Sequence, residues 1–269
     1  MTDGLTTHRQ ALLAGLDGFR IEIDEASERA DIVLDRPPFN IVRMPQRPQL
    51  AAVIDELDKD ARVRVIVIRS TGEHFSSGGD IPGFMEADQE TLSQLHKNVA
   101  APERCTKPVI AQVRGYCFGV GFELSLACDF RVVSETARMA LPEIRIGMIP
   151  GSGGSARLQK MIGTSRAKNM SMRALRITGQ QAHDWGIACE CVPDDRLEAT
   201  VASLVDELRA FSPLAQRTLK QVINHAENAP LEQAMEIEGQ AYGRLRGSHD
   251  FAEGVASFKE KRPPKFKGR

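Results

Sequence analysis

The sequence predicts an α/β fold, and three observations predict it. Strand-like apolar segments, glycine-rich loops and helix-like segments recur along the first two thirds of the 269-residue chain, at spacings too irregular for a solenoid. Two of the apolar runs, VRVIVI (63–68) and PVIAQV (108–113), lack polar alternation and read as strands covered on both faces. Beyond residue 180 the glycine-rich loops stop and helical periodicity takes over.

The elements follow in order. Residues 19–23 (FRIEI) alternate and 30–34 (ADIVL) form a buried run, so both read as short strands, broken off by DRPPFN at 35–40. Pro45 and Pro48 hold off a helix until about Gln49, after which Leu50, Val53, Ile54 and Leu57 make an apolar stripe. The strand at 63–68 leads into a glycine- and serine-rich loop at 72–80, and a polar helical stretch follows at 82–97. The strand at 108–113 runs through GYCFG (115–119) into a helix that ends near Cys128. Residues 130–133 and 138–141 are two more short strands, and the loop at 142–154 opens a helix from about Ser155. Helical patterns then occupy 197–211, 213–227 and 231–242. We expect two parts: a core over residues 15–195 and a helical region over 196–269. The tail KEKRPPKFKGR (259–269) is strongly basic, either a solvated terminus or an anion contact.

Composition excludes several classes. A chain of this length buries a full core without disulfides or structural metal. Acids number 36 and bases 35, so binding to nucleic acid or a membrane surface through net charge is not expected. Cys105, Cys117, Cys128, Cys189 and Cys191 are odd in number and fit no disulfide framework, so a reducing cytoplasm is the expected setting. Cys117 and Cys128 read as small buried hydrophobes. Residues 1–10 carry no leader pattern, and no run of 18 apolar residues occurs. His8, His74, His96, His183, His225 and His249 make no HExxH motif, and no CxxC occurs, so no metal centre is expected.

Three loops carry the chemical signal: FSSGGD (75–80), GYCFGVGFE (115–123) and PEIRIGMIPGSGG (142–154). Free backbone N–H groups at such corners, and the helix N-termini that follow two of them, favour negative charge. GxGxxG, GxxxxGK[ST] and GxSxG are all absent, which disfavours a dinucleotide-binding dehydrogenase, a P-loop protein and an α/β-hydrolase. Ser76, Ser77, Ser152 and Ser155 suit turns and caps. Two carboxylates remain, Glu123 near the start of an apolar helix and Glu143 after Pro142. Each alone is commonly a cap or an ion-pair partner. A carboxyl group on a buried helix is desolvated, however, and two carboxyls in one site can divide acid and base duties.

Through FSSGGDI (75–81), KPVIAQVRGYCFGVGFELSLACDF (107–130), LPEIRIGMIPGSGGSARL (141–158), ITGQQAHDWGIACECVPD (177–194) and FKEKRPPKF (258–266), the chain resembles the enoyl-CoA hydratase/isomerase, or crotonase, superfamily. The resemblance covers residues 19–266. It implies a crotonase-like spiral of ββα units with a helical C-terminal trimerisation region, assembled as a homo-oligomer, a trimer or a dimer of trimers. It implies an acyl-CoA substrate, with coenzyme A part of that substrate and no separate cofactor. The backbone N–H groups of Gly79 and Val120 would form the oxyanion hole. Glu123 and Glu143 would be the catalytic pair, Glu123 taking a proton from water and Glu143 protonating Cα. Ser77, Asp80, Ile81 and Phe84 would contact the substrate, and Phe258 and Lys261 would lie by the adenine and phosphates.

The chain departs from the family pattern in three places. Val120 stands where glycine is usual, Pro45 and Pro48 interrupt a segment that helps to hold adenine, and no lysine follows two residues after Asp80. Hydratases of the family carry both glutamates, whereas isomerases commonly keep the second alone, so hydration of a 2-enoyl-CoA is the expected reaction. A Δ3,Δ2-isomerase or a C–C hydrolase shares the enolate-stabilising site and is the nearest rival. A non-catalytic acyl-CoA- or RNA-binding relative fits the retained glutamate pair less well.

Overall fold

The computed structural model describes residues 12–13 and 15–269. His8 and the leader-free reading of residues 1–10 lie outside that range. The strands are β1 (Phe19–Asp24), β2 (Arg29–Leu34), β3 (Val65–Ser70), β4 (Val109–Val113), β5 (Tyr116–Phe118), β6 (Phe130–Ser134), β7 (Arg138–Ala140), β8 (Ile177–Thr178) and β9 (Glu190–Val192). They form a six-stranded sheet, β1-β2-β3-β4-β6-β9, and a three-stranded sheet, β5-β7-β8. In the large sheet only the β1–β2 hairpin is antiparallel, with Phe19 opposite Leu34 and Asp24 opposite Arg29.

The helices are α1 (Gln46–Lys59), α2 (Ile81–Glu86), α3 (Gln89–Ser93), α4 (Leu95–Val99), α5 (Ala101–Arg104), α6 (Val120–Ala127), α7 (Gly154–Met172), α8 (Gly179–Asp184), α9 (Leu197–Arg209), α10 (Pro213–Ala226), α11 (Leu231–Leu245) and α12 (His249–Glu260). Among the described residues no helix is long and apolar enough to cross a membrane.

Side chains of a strand alternate between faces, and the core divides accordingly. Ile66 and Ile68 join Leu50, Ile54 and Phe122 in the main apolar cluster. Val65, Val67, Ile110 and Val132 face the other way and are covered by Leu197, Val201, Val205 and Leu208 of α9. This double cover explains why the runs at 63–68 and 108–113 lack alternation. The one-face alternation of β1 matches its place at the sheet edge.

Some boundaries differ from expectation. α1 begins at Gln46, three residues early, because Pro48 sits in the first turn, where its missing N–H costs no helical hydrogen bond. β3 begins at Val65, since the Val63 amide donates to Asp60 O in a turn. β8, β9 and α12 escape the sequence reading. β8 and β9 are two and three residues long, too short to show a period, and α12 is capped by Ser248, whose side chain accepts from the Phe251 amide. The basic tail is not loose. Arg262 pairs with Glu253, the Lys265 amide donates to Glu253, and the Lys267 and Gly268 amides donate to Asp250.

β3 and β4 are parallel neighbours, so the loops leaving their C-terminal ends emerge side by side. These are the loops at 71–80 and 114–119. The topology therefore brings two of the three glycine-rich loops together, at the kind of edge where open α/β sheets bind ligands.

Candidate active site

The two loops are zipped by backbone hydrogen bonds. The Phe75 amide donates to Arg114 O, the Ser76 amide to Tyr116 O and the Phe118 amide to Ser76 O, each at 2.9 Å. Their approach requires glycine. A Cβ on Gly121 would lie 2.6 Å from Ser76 Cβ, and one on Gly119 would lie 3.6 Å from Gly78 Cα. Gly119 also has φ 52°, a conformation costly for any other residue. Behind the loops Phe39, His74, Tyr116 and Phe118 stack in sequence, and the Tyr116 amide donates to His74 Nδ1. His74 thus braces the loops.

At this junction the amides of Gly79 and Val120 are bonded to no protein acceptor among the described residues. Val120 is the first residue of α6, where N–H groups are free and the helix dipole favours an anion. Its branched side chain is buried in the main apolar cluster.

Glu123 lies one turn into α6 and is 2% exposed. Burial of a carboxylate is costly unless its oxygens are satisfied. Here Oε1 accepts from the amides of Ser152, at 2.8 Å, and Gly154, at 3.0 Å, the latter opening α7. This is the anion-binding end of a helix. Gly153, at φ 95°, makes the turn possible. Arg157 holds it, donating to Ser152 O at 2.8 Å while pairing with Glu103 through both carboxylate oxygens.

Glu143 stands differently. It opens a single 3-10 turn, Glu143–Ile146, directly after Pro142. Its Oε1 lies 3.1 Å from the position a Cβ would take on Gly119, beside the loop junction. Its Oε2 is buried and has no partner. Burial, with the charge of Glu123 adding to it, pushes the Glu143 carboxyl up to about 7. One carboxyl is thus pinned by two amides, and the other is unpinned and holds its proton near neutrality.

A third charged group was missed by sequence reasoning. Arg47, in the first turn of α1, is 3% exposed. Its Nη1 donates to Ser152 Oγ at 3.4 Å, its guanidinium lies 5.2 Å from the Phe84 ring centroid, and its Nε has no partner. Burial lowers its pKa, opposed by the charge of Glu123. The signal was present: Arg47 falls three residues before Leu50, on the stripe formed by Leu50, Ile54 and Leu57.

The remaining expected residues fall into two places. Ser77 sits in the loop at 71–80, its amide donating to Phe39 O at 2.8 Å. Asp80 is the N-cap of α2 but makes no side-chain capping bond. Phe84 packs beside Gly79, with a Gly79 Cβ position 2.8 Å from its Cζ, and Ile81 is exposed on the same helix. Phe258 is 85% exposed on α12 and Lys261 ends that helix in a left-handed conformation. No described contact joins either to Glu123 or Glu143. Cys117 and Cys128 are buried, and burial pushes both thiols up to about 12, as inert core residues require.

A profile of the enoyl-CoA hydratase/isomerase family matches residues 25–269. The chain belongs to that family. Within the enoyl-CoA hydratase/isomerase family it is 34% identical over 244 residues to the 2,3-dehydroadipyl-CoA hydratase of Escherichia coli (strain K12), covering 88% of this chain and 94% of that protein. It is 33% identical over 247 residues to the carnitinyl-CoA dehydratase of Proteus mirabilis (strain HI4320), covering 89% and 95%. The crystal structure of the enoyl-CoA hydratase from Bacillus anthracis superposes with a TM-score of 0.88 at 30% identity, covering 94% of this chain and all of that one. The crotonase fold with its C-terminal helical region, expected from the sequence, is thereby established, and the chain is a hydratase-like member of the superfamily.

Proposed function

We propose that this enzyme adds water across the double bond of a 2-enoyl-CoA thioester. The observation that carries the reading is the unequal carboxyl pair beside two free amides: Glu123 pinned by the amides of Ser152 and Gly154, and Glu143 raised to about 7. The named reactions of the relatives, hydration and dehydration of acyl-CoA compounds, support it.

The thioester oxygen accepts from the amides of Gly79 and Val120. Glu123 takes a proton from water as the water oxygen bonds to Cβ. The Cα–Cβ π electrons move into an enolate whose negative oxygen those amides stabilise, each by about 3 kcal/mol of barrier. Glu143 then gives its proton to Cα, and the proton gained by Glu123 resets the pair. Coenzyme A is part of the substrate, and the reaction needs no separate cofactor. Ser77, Asp80, Ile81 and Phe84 contact the acyl and pantetheine portion, and Phe258 and Lys261 serve the adenine end. Exposed apolar side chains on the C-terminal helices, among them Leu231, Met235 and Tyr242, support assembly of a trimer or a dimer of trimers through residues 196–269. The cytoplasm is the proposed setting.

The test is turnover of crotonyl-CoA, followed by loss of the conjugated enoyl absorbance. Glu123→Gln and Glu143→Gln are each expected to lower kcat by about 10²–10⁴ with little change in thioester affinity. Near wild-type turnover in either variant overturns the assignment.

A further inference from the structure

We propose that Arg47 is the receptor for a carboxylate carried on the acyl group, making the substrate a mono-CoA thioester of a short dicarboxylic acid. The inference rests on the hydratase reading of the same site and names its substrate class.

Arg47 is 3% exposed, and no carboxylate pairs with it among the described residues. Its side chain makes a single hydrogen bond, a long one of 3.4 Å to Ser152 Oγ, and the Nε donor is orphaned. Two other arginines of the interior are fully engaged. Arg131 donates to the carbonyls of Ile187, Ser125 and Cys128, and Arg157 forks onto Glu103. The charge of Glu123 offsets the burial of this guanidinium only in part, and a leucine on the same apolar stripe of α1 would pack without that cost. Five fixed donors in a planar fork match one ligand group above all, a carboxylate bound through both oxygens.

The location sets where that group must be. Nη2 lies 3.1 Å from the Cβ position of Gly79, whose amide is proposed to hold the thioester oxygen. Nη1 reaches Ser152, whose amide holds Glu123. The fork therefore stands between the oxyanion corner and the base, with the Phe84 ring on one side. Summing bond lengths and hydrogen-bond distances puts a bound carboxylate within about 11 Å of the thioester oxygen. That span admits an acyl chain of up to about eight carbons ending in a carboxylate.

Inhibition of wild-type turnover by two saturated thioesters of equal carbon count, glutaryl-CoA and pentanoyl-CoA, tests this directly. Glutaryl-CoA is expected to bind about 10–100-fold more tightly, and Arg47→Met is expected to collapse that ratio toward one, with Arg47→Lys retaining part of it. A wild-type ratio within about threefold of one overturns the proposal, as does a ratio that survives in Arg47→Met. The wild-type comparison stands even where a variant fails to fold. The two readings fail separately, because saturated thioesters bind without being hydrated. Preference for glutaryl-CoA, measured by calorimetry in an enzyme that hydrates no enoyl-CoA, overturns the hydratase reading and supports this one.

Discussion

Glu123 and Glu143 have the same side chain and opposite surroundings, and the surroundings support the roles proposed for them. Two amides donate to one oxygen of Glu123, whereas Glu143 has an orphaned oxygen and burial raises its carboxyl to about 7. Placement of Glu123 depends on the bare Cα of Gly154. A Cβ there would lie 2.9 Å from Glu123 Cγ and 2.9 Å from Leu141 Cδ2. Gly154→Ala keeps the amide but displaces the carboxylate, so steady-state kcat is expected to fall about 10–100-fold in a folded protein. The raised pKa of Glu143 has a signed consequence. A proton donor titrating at about 7 makes kcat decline as pH rises through that value. Stability follows the same direction: it is full below about 4.5 and is lost as pH rises through about 7, because the folded state resists the charge. Urea unfolding at pH 5 and pH 9 is expected to show a loss of about 1–3 kcal/mol that Glu143→Gln lacks. Both glutamates were legible from motif and spacing. Their partners were not, because Ser152 and Gly154 lie 29 and 31 residues from Glu123.

At the scale of the element, α6 is short, is buried along its whole length and carries two residues of the proposed site. Its first turn presents Val120 and Glu123, and its last carbonyls need partners. Arg131 supplies them, with Nη1 at 2.9 Å from Ser125 O and 2.6 Å from Cys128 O, while Nε donates to Ile187 O. A cation at the C-terminal end also opposes the helix dipole. Arg131→Met leaves these buried carbonyls unsatisfied and is expected to cost about 3 kcal/mol in urea unfolding. A cost below about 1 kcal/mol would show that water takes over the capping. α1 teaches a different lesson. Its apolar stripe was read correctly from Leu50 onward, but the prolines masked the first turn, and with it Arg47. Proline stops a helix in its interior and is welcome at its start, and position alone decides which applies.

The whole molecule adds what no element contains. A groove of about 1300 Å³ separates the core from α10, lined by Leu126, Met161, Leu208, Leu219 and Ile223 among others. Neither Glu143 nor Gly79 lines it. The tail folds back along α12 through Glu253, whose carboxyl is held down to about 2 by Arg262 and the Lys265 amide, so Lys261 is presented from an ordered surface. Lys261→Ala is expected to weaken coenzyme A binding several-fold and to reduce its salt dependence, as loss of one phosphate contact requires. Unchanged affinity across a salt series would remove Lys261 from the binding surface.

Local physics alone specified the α/β class, the buried strands and the two carboxylates, because residue periodicity and short motifs are properties of a few neighbouring positions. Net charge near zero was equally visible, and it hid an uneven distribution. The tertiary structure decided everything that depends on distant segments meeting. It put the amides of Ser152 and Gly154 on Glu123, left Glu143 Oε2 and Arg47 Nε without partners, and enlisted β9 and α9 to complete the large sheet and its cover. Desolvation and hydrogen-bond satisfaction are fixed only when the chain folds around a group, and these two quantities separate an acid from a base in this site.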